Sequence, residues 1–208
     1  MPVQRPLLIV IAGPNGSGKT TFTEKLLEHY WLKDCQYINP DILAQNSFGN
    51  WNSAENVIKA ANMAEEIREN CLAGNENMAF ETVLSTPGKV LFIKRCLDKG
   101  YFVRLFFIGT ASPEINAARI LRRYEKGGHE VPISKISERY PRSIANCALI
   151  CPIVDRAYIY DNTQEDAPIP KLIFRTEKGD LKKIYETIPE WAMRIVESME
   201  WMKKVKTF

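Results

Sequence analysis

The chain has few features that would tie it to a membrane, a metal cluster or a nucleic-acid backbone. No apolar run approaches the ~20 residues needed to span a bilayer. The N-terminal MPVQRP lacks a signal-peptide core, because the apolar run after it is short. Cysteine is sparse: Cys35, Cys71, Cys96, Cys147 and Cys151, with no C-x-x-C pair. This predicts a reduced, cytoplasmic protein without structural zinc, in which Cys147 and Cys151 are buried thiols on one helix. Charge of either sign is not in large excess: 28 Lys and Arg against 25 Asp and Glu leave +3, too little to argue for nucleic acid. The N-K-x-D pattern of guanine switches is absent. There is no internal repeat, low-complexity stretch or linker. With 208 residues, a single α/β domain over 1–208 is expected, long enough to bury a sizeable core.

What is present is concentrated in Leu7 to Phe22, LLIVIAGPNGSGKTTF. An apolar run turns through Gly13-Pro14-Asn15-Gly16-Ser17-Gly18 and enters Lys19-Thr20-Thr21, matching G-x-x-x-x-G-K-[ST] in full. A phosphate chain must lie against backbone N–H groups, so side chains must be missing where it approaches, and Gly13, Gly16 and Gly18 meet that need. The loop opens a helix N-terminus, whose dipole favours negative charge. Lys19 can reach the β- and γ-phosphates, and the Thr20 hydroxyl can complete a Mg²⁺ shell.

The segments that follow alternate strand and helix, which predicts a doubly wound, mostly parallel sheet with helices on both faces. A helix runs from Lys19 to about Tyr30, with His29 as a cation near its end. Gln36 to Asn39 is a short strand, stopped by Pro40, and Asp41 starts a helix. Asp41 is either an N-cap or, lying just past a strand end beside the P-loop strand, a chemical residue. Asn52 to Asn70 is a long helix with Val57, Ala60, Ala61, Ala64, Ile67 and Cys71 inward, ending at Gly74 as C′. Met78-Ala79-Phe80 is a strand, and Glu81 after it is either a helix cap or a ligand-edge residue. Gly88 to Lys99 is a helix ended by Gly100, and Tyr101 to Ile108 is a central strand buried on both faces.

A helix starting at Ser112-Pro113 carries Arg119, Arg122 and Arg123. After Gly127-Gly128, a hinge, come Lys135, Arg139 and Arg142. This is the only comparable basic cluster, and it predicts an Arg-rich lid over about 119–142 that closes on phosphates. Arg156 to Asn162 is the last core strand. Its Asp161 imitates a Walker-B aspartate but comes late in the chain. An extension over about 163–208 holds a hairpin around Glu177-Lys178-Gly179-Asp180 and an amphipathic helix, Pro189 to Lys204. That helix bears Trp191, Met193, Ile195, Val196, Met199 and Met202, a stripe expected to pack into the core.

Four of these places together resemble the zeta toxin family of small P-loop kinases: GPNGSGKTT, INPD ending at Asp41, FET with Glu81, and the lid stretch RYEKGGHEVP with ISERYPRS. The resemblance runs to about Asn162. It implies an ATP- and Mg²⁺-dependent kinase with Asp41 as general base, Lys19 as P-loop lysine and Arg123 as lid arginine. Glu81 would be linked to metal and substrate. It further implies UDP-N-acetylglucosamine, phosphorylated at its 3′-hydroxyl, as the first candidate acceptor, and an antitoxin that covers the ATP site. Val83 stands where the family places a substrate-contacting Thr, next to Thr82. His129 stands where the toxins carry a second lid arginine, a place Arg139 can take. The expected nucleotide site is therefore Gly13 to Thr21 with Arg123, and the acceptor site Asp41, Glu81 and Thr82. Thr20 and Glu81 are the metal residues, and Lys19, Asp41, Arg123 and Arg139 carry the catalysis. The competing functions are a nucleic-acid end kinase, which the absence of aromatic–basic interleaving disfavours, and an NTP-driven switch or binding module.

Overall fold

The computed structural model describes residues 5–27, 32, 34–50, 53–125, 132–164 and 169–206. Seven strands form one sheet: β1 (Leu7–Ala12), β2 (Gln36–Ile38), β3 (Met78–Thr82), β4 (Phe102–Gly109), β5 (Arg156–Asp161), β6 (Lys171–Glu177) and β7 (Asp180–Ile184). Their order is β2-β3-β1-β4-β5-β6-β7. β1 to β5 run parallel, and β6 and β7 are antiparallel additions at one edge. The chain therefore has a mixed α/β, P-loop kinase-like architecture. The apolar run of β1 is central because both its neighbours are strands and both its faces must be dry.

The helices are α1 (Lys19–Leu27), α2 (Pro40–Ser47), α3 (Ala54–Gly74), α4 (Pro87–Asp98), α5 (Pro113–Glu125), α6 (Ile133–Ile150) and α7 (Glu190–Lys206). Side-chain alternation divides the strands cleanly. Leu8, Val10, Met78, Phe80, Val103, Leu105 and Phe107 face one core with α3, α4, α6 and α7. Ile9, Ile11, Ala79, Phe106 and Ile108 face the other, covered by Phe22 of α1. β1 lies between β3 and β4: its own connection leads to β2 on one side, and the connection out of β3 crosses to β4 on the other. The carboxyl end of β1 is the switch point where open parallel sheets bind ligands.

Several local expectations need correction. The N-cap of α2 is Asn39, whose side chain accepts from the Asp41 N–H; Pro40 takes N1 and Asp41 lies in the first turn. Glu81 is inside β3 and caps nothing, since α4 begins at Pro87. α3 ends with Asn75 in the left-handed conformation (φ 57°), while Gly74 stays helical. Its buried stripe includes Arg68, stacked over Phe80 and Phe92, whereas Val57 and Ala61 are exposed. The second half of the basic stretch belongs to α6, which continues to Ile150 and buries Tyr140, Ile144 and Cys147 in the core. The hairpin joins the main sheet through β5 and turns at Lys178-Gly179, both at positive φ. α7 buries Trp191, Ile195 and Met199 but leaves Met193 exposed. Cys71, Cys96, Cys147 and Cys151 form no disulfide among the described residues, and burial pushes the Cys147 thiol well up and that of Cys151 to about 12. No helix among the described residues is long and apolar enough to cross a membrane.

Candidate functional site

The loop between β1 and α1 is held from four sides. Its entry is pinned by the Gly13 N–H donating to the Thr82 carbonyl at 3.2 Å. It closes on itself through the Ser17 N–H and the Pro14 carbonyl, also 3.2 Å. Asn162, just past β5, donates from Nδ2 to the Ser17 carbonyl at 2.8 Å. The backbone of Asn116 on α5 presses from below. The glycines answer to this packing as well as to any phosphate. A Cβ on Gly13 (φ 151°) would stand 2.1 Å from the Ile108 carbonyl oxygen of β4. One on Gly18 (φ 93°) would stand 2.4 Å from Asn162 Nδ2. Neither position can carry a side chain without moving the backbone or the tether that sets the loop.

Within this cradle, Asn15 Oδ1 and Ser17 Oγ are buried polar atoms with no hydrogen-bond partner, as expected where a ligand supplies the missing contacts. Lys19 arches back over the loop, its Nζ donating to the Gly13 and Pro14 carbonyls at 2.9 Å each. Burial pushes the Lys19 ammonium down to about 8, against the carboxylates of Glu81 and Asp41, which raise it, while the Arg123 guanidinium lowers it further. Four residues from four elements, α1, β3, α2 and α5, thus share one electrostatic neighbourhood at the carboxyl end of the sheet. Arg139 is half-buried on α6 and is not among the charges that act on Lys19.

The other expected residues are distributed as follows. Thr20 and Thr21 are exposed on the first turn of α1, and Asp41 is exposed on the first turn of α2. Glu81 is half-buried; its Oε1 accepts from Tyr37 Oη at 2.6 Å. Thr82 Oγ1 accepts the Leu84 N–H at 2.9 Å, which helps hold buried Leu84 at φ 56°, and the Leu84 carbonyl accepts from Asn146 Nδ2 at 2.8 Å. A buried leucine in the left-handed region is uncommon and marks a turn over-determined by its surroundings. Arg142 pairs with Glu138 at 2.8 Å on an exposed face. Arg119 reaches toward the Thr163 and Gln164 carbonyls beside the Asn162 tether. Asp161, at the end of β5, accepts at its Oδ1 from Thr163 Oγ1 at 2.5 Å and from Trp191 Nε1 at 3.2 Å. Glu28, His29, Tyr30, Lys126, Gly127, Gly128 and His129 lie outside the described residues.

Sequence reading passed over Tyr37, Asn39, Asn116 and Asn162. The Asn-Pro-Asp run carries a readable signal for Asn39, a favoured cap residue followed by Pro at N1. The other three depend on which strands and helices become neighbours, and a single sequence does not carry that.

Residues 1–167 match the zeta toxin family model. The chain belongs to the zeta toxin family. Over 135 residues this zeta toxin family member is 29% identical to an uncharacterised protein of Haemophilus influenzae, a match covering 64% of this chain and 91% of that protein. In fold it is similar to a chain of the PezAT chromosomal toxin–antitoxin system of Streptococcus pneumoniae (TM-score 0.62, 18% identity, 97% of this chain and 87% of that one). It is also similar to a chain of the AvrRxo1-ORF1:-ORF2 complex (TM-score 0.67, 16% identity, 95% and 76%). The same complex has been solved with ATP (TM-score 0.61, 15% identity, 96% and 77%). At these identities the structural likeness is one of fold.

Proposed function

We propose that this zeta toxin family member is a cytoplasmic kinase that moves the γ-phosphoryl group of ATP to a hydroxyl of a small molecule. The observation that carries the reading is the P-loop cradle at the switch point, with Lys19 folded over it and the buried Asn15 Oδ1 and Ser17 Oγ without partners among the described residues. Phosphoryl transfer asks little covalent chemistry of a protein; it asks for positioning and for positive charge where the transferring group gathers negative charge. The backbone N–H groups of Gly13 to Thr20 and the N-terminus of α1 would hold the β- and γ-phosphates. Lys19 would leave the loop carbonyls for them. Thr20 and Glu81 offer hydroxyl and carboxylate oxygens, the hard donors that suit Mg²⁺, with the remaining positions taken by phosphate oxygens and water. Mg²⁺ bound there would neutralise phosphate charge. Asp41, on the first turn of α2, would orient the acceptor hydroxyl and take its proton. Thr82 would lie against the acceptor.

UDP-N-acetylglucosamine is the first candidate acceptor, on family membership. The structural neighbours named for a toxin–antitoxin system and for a two-component complex support a protein partner, and on family membership that partner would cover the ATP site. The chemical test is mass spectrometry of a small-metabolite mixture incubated with the protein, ATP and Mg²⁺. A product heavier by one phosphoryl group, formed by wild type, is expected. No phosphorylated product from the mixture or from UDP-N-acetylglucosamine would sink the reading.

The lid arginines allow a second measurement. Arg123 lies in the last turn of α5, exposed and close enough to Lys19 to lower its pKa. An arginine that spans the donor phosphates as charge redistributes is worth on the order of 10³–10⁵ in rate. Arg123→Ala is therefore expected to depress kcat far more than it weakens ATP binding, and Arg139→Ala to do so to a lesser degree. Loss of affinity with kcat intact would reassign Arg123 to ground-state binding.

A further inference from the structure

A chain of hydrogen bonds runs beneath the two carboxylates. In the parallel pairing of β2 and β3, Tyr37 stands opposite Ala79. Side chains alternate along a strand, so Tyr37 and Glu81 share one sheet face. There Tyr37 Oη donates to Glu81 Oε1 at 2.6 Å. The same phenol oxygen accepts from Asn39 Nδ2 at 3.0 Å. Asn39 Oδ1 accepts the Asp41 N–H at 2.9 Å, the bond that caps α2.

The direction of this chain is forced. The Asp41 N–H can only donate, so the Asn39 carbonyl oxygen must face it, and the Asn39 NH₂ must therefore face Tyr37. A phenol has one proton; with its oxygen accepting from Asn39, that proton goes to Glu81. A phenol holds its proton at neutral pH, so it is the donor to the carboxylate. Glu81 is consequently held through one oxygen, and its placement is tied to the first turn that carries Asp41.

We propose that Tyr37 is a positioning residue for phosphoryl transfer. It acts through Glu81 and, by way of Asn39, fixes the spacing of Glu81 and Asp41. The proposal rests on the kinase reading above. The Tyr37 bond takes one lone pair of Oε1 and sets how the carboxylate is turned, while Oε2 keeps both of its acceptor sites.

The test is a double-mutant cycle of wild type, Tyr37→Phe, Glu81→Gln and the double variant. Two readouts are taken: turnover of ATP with UDP-N-acetylglucosamine, or with the acceptor found in the metabolite mixture, and the thermal midpoint. Phe keeps the ring and its packing and removes only the hydroxyl. Tyr37→Phe is expected to lower kcat by about tenfold or more, as for a lost hydrogen bond to a charged group, with KM for ATP changed less than about twofold. On the Glu81→Gln background the same substitution is expected to cost no further turnover. The thermal midpoints should be non-additive too, by about 2–4 °C. Equal fold losses of turnover on both backgrounds would make Tyr37 a structural residue and overturn the proposal, even with coupled midpoints. Additivity in both readouts would overturn the contact itself. A wild type that transfers no phosphate would instead remove the kinase reading, and this proposal with it.

Discussion

Lys19→Ala is expected to lower phosphoryl transfer by at least 10²–10³, the order of loss when one preorganised electrostatic donor is removed from a dry site. The fold should remain. Lys19 contributes two hydrogen bonds to its own loop, while β1, α1 and their cores do not depend on it. Circular dichroism and a thermal midpoint close to wild type check this. The depressed Lys19 ammonium gives a second signature. With its pKa near 8, part of the population is neutral at mildly alkaline pH. Phosphate oxygens favour the charged form, so ATP binding should draw in a proton near pH 8. Calorimetry in buffers of different ionisation enthalpy reads that uptake, and it should vanish in Lys19→Ala. Near-normal turnover in the variant would sink the P-loop kinase reading.

How much of this was legible beforehand follows how local each constraint is. The P-loop was readable because its demands sit in consecutive residues: missing side chains, a helix N-terminus, a lysine and a hydroxyl in fixed order. The reasons behind the glycines were only partly readable. Gly13 is also required by the β4 carbonyl at Ile108 and Gly18 by the Asn162 side chain, contacts that exist only once the sheet has assembled. The strand–helix alternation gave the parallel sheet, but not that β6 and β7 would extend the same sheet. Glu81 was seen at the ligand edge, although only the β3 register removes the capping alternative. Tyr37, Asn116 and Asn162 gave no signal because a polar residue near a strand or helix end looks the same whether it faces water or supports a site.

The C-terminal segment shows how such non-local support accumulates. Trp191 of α7 packs so closely on Gly109 that a Cβ there would lie 2.3 Å from the indole. The same indole donates to Asp161, whose neighbour Asn162 tethers the P-loop carbonyl of Ser17. The Asn162 N–H in turn donates to the Gly109 carbonyl at 2.8 Å. Helix α7, more than 170 residues after the P-loop in the chain, is thus two hydrogen-bonded residues away from it in space. Asp161, the acidic residue at the end of the last parallel strand, takes part in this brace through its Oδ1.

Asp41→Asn separates chemistry from architecture at the acceptor side. The helix cap is Asn39, and what Asp41 gives the cap is its backbone N–H, which Asn supplies equally. The substitution removes a negative charge from the first turn of α2. That costs about 0.3–1 kcal/mol through the helix dipole, a small change in midpoint. It also weakens the carboxylate field that raises the Lys19 pKa, so the proton uptake on ATP binding should move to slightly lower pH. ATP–Mg²⁺ affinity should otherwise barely change, because on the proposed reading it rests on Gly13 to Thr20 with Glu81, which the substitution leaves in place. Turnover is another matter. An amide of the same size can still orient a hydroxyl but cannot take its proton, and transfer is expected to fall by roughly 10²–10⁴. Side-by-side measurement of kcat, ATP affinity and thermal midpoint in this variant decides the role. A kcat that collapses while the other two hold makes Asp41 the base, whereas full activity removes Asp41 from the mechanism and leaves the acceptor proton to leave without it.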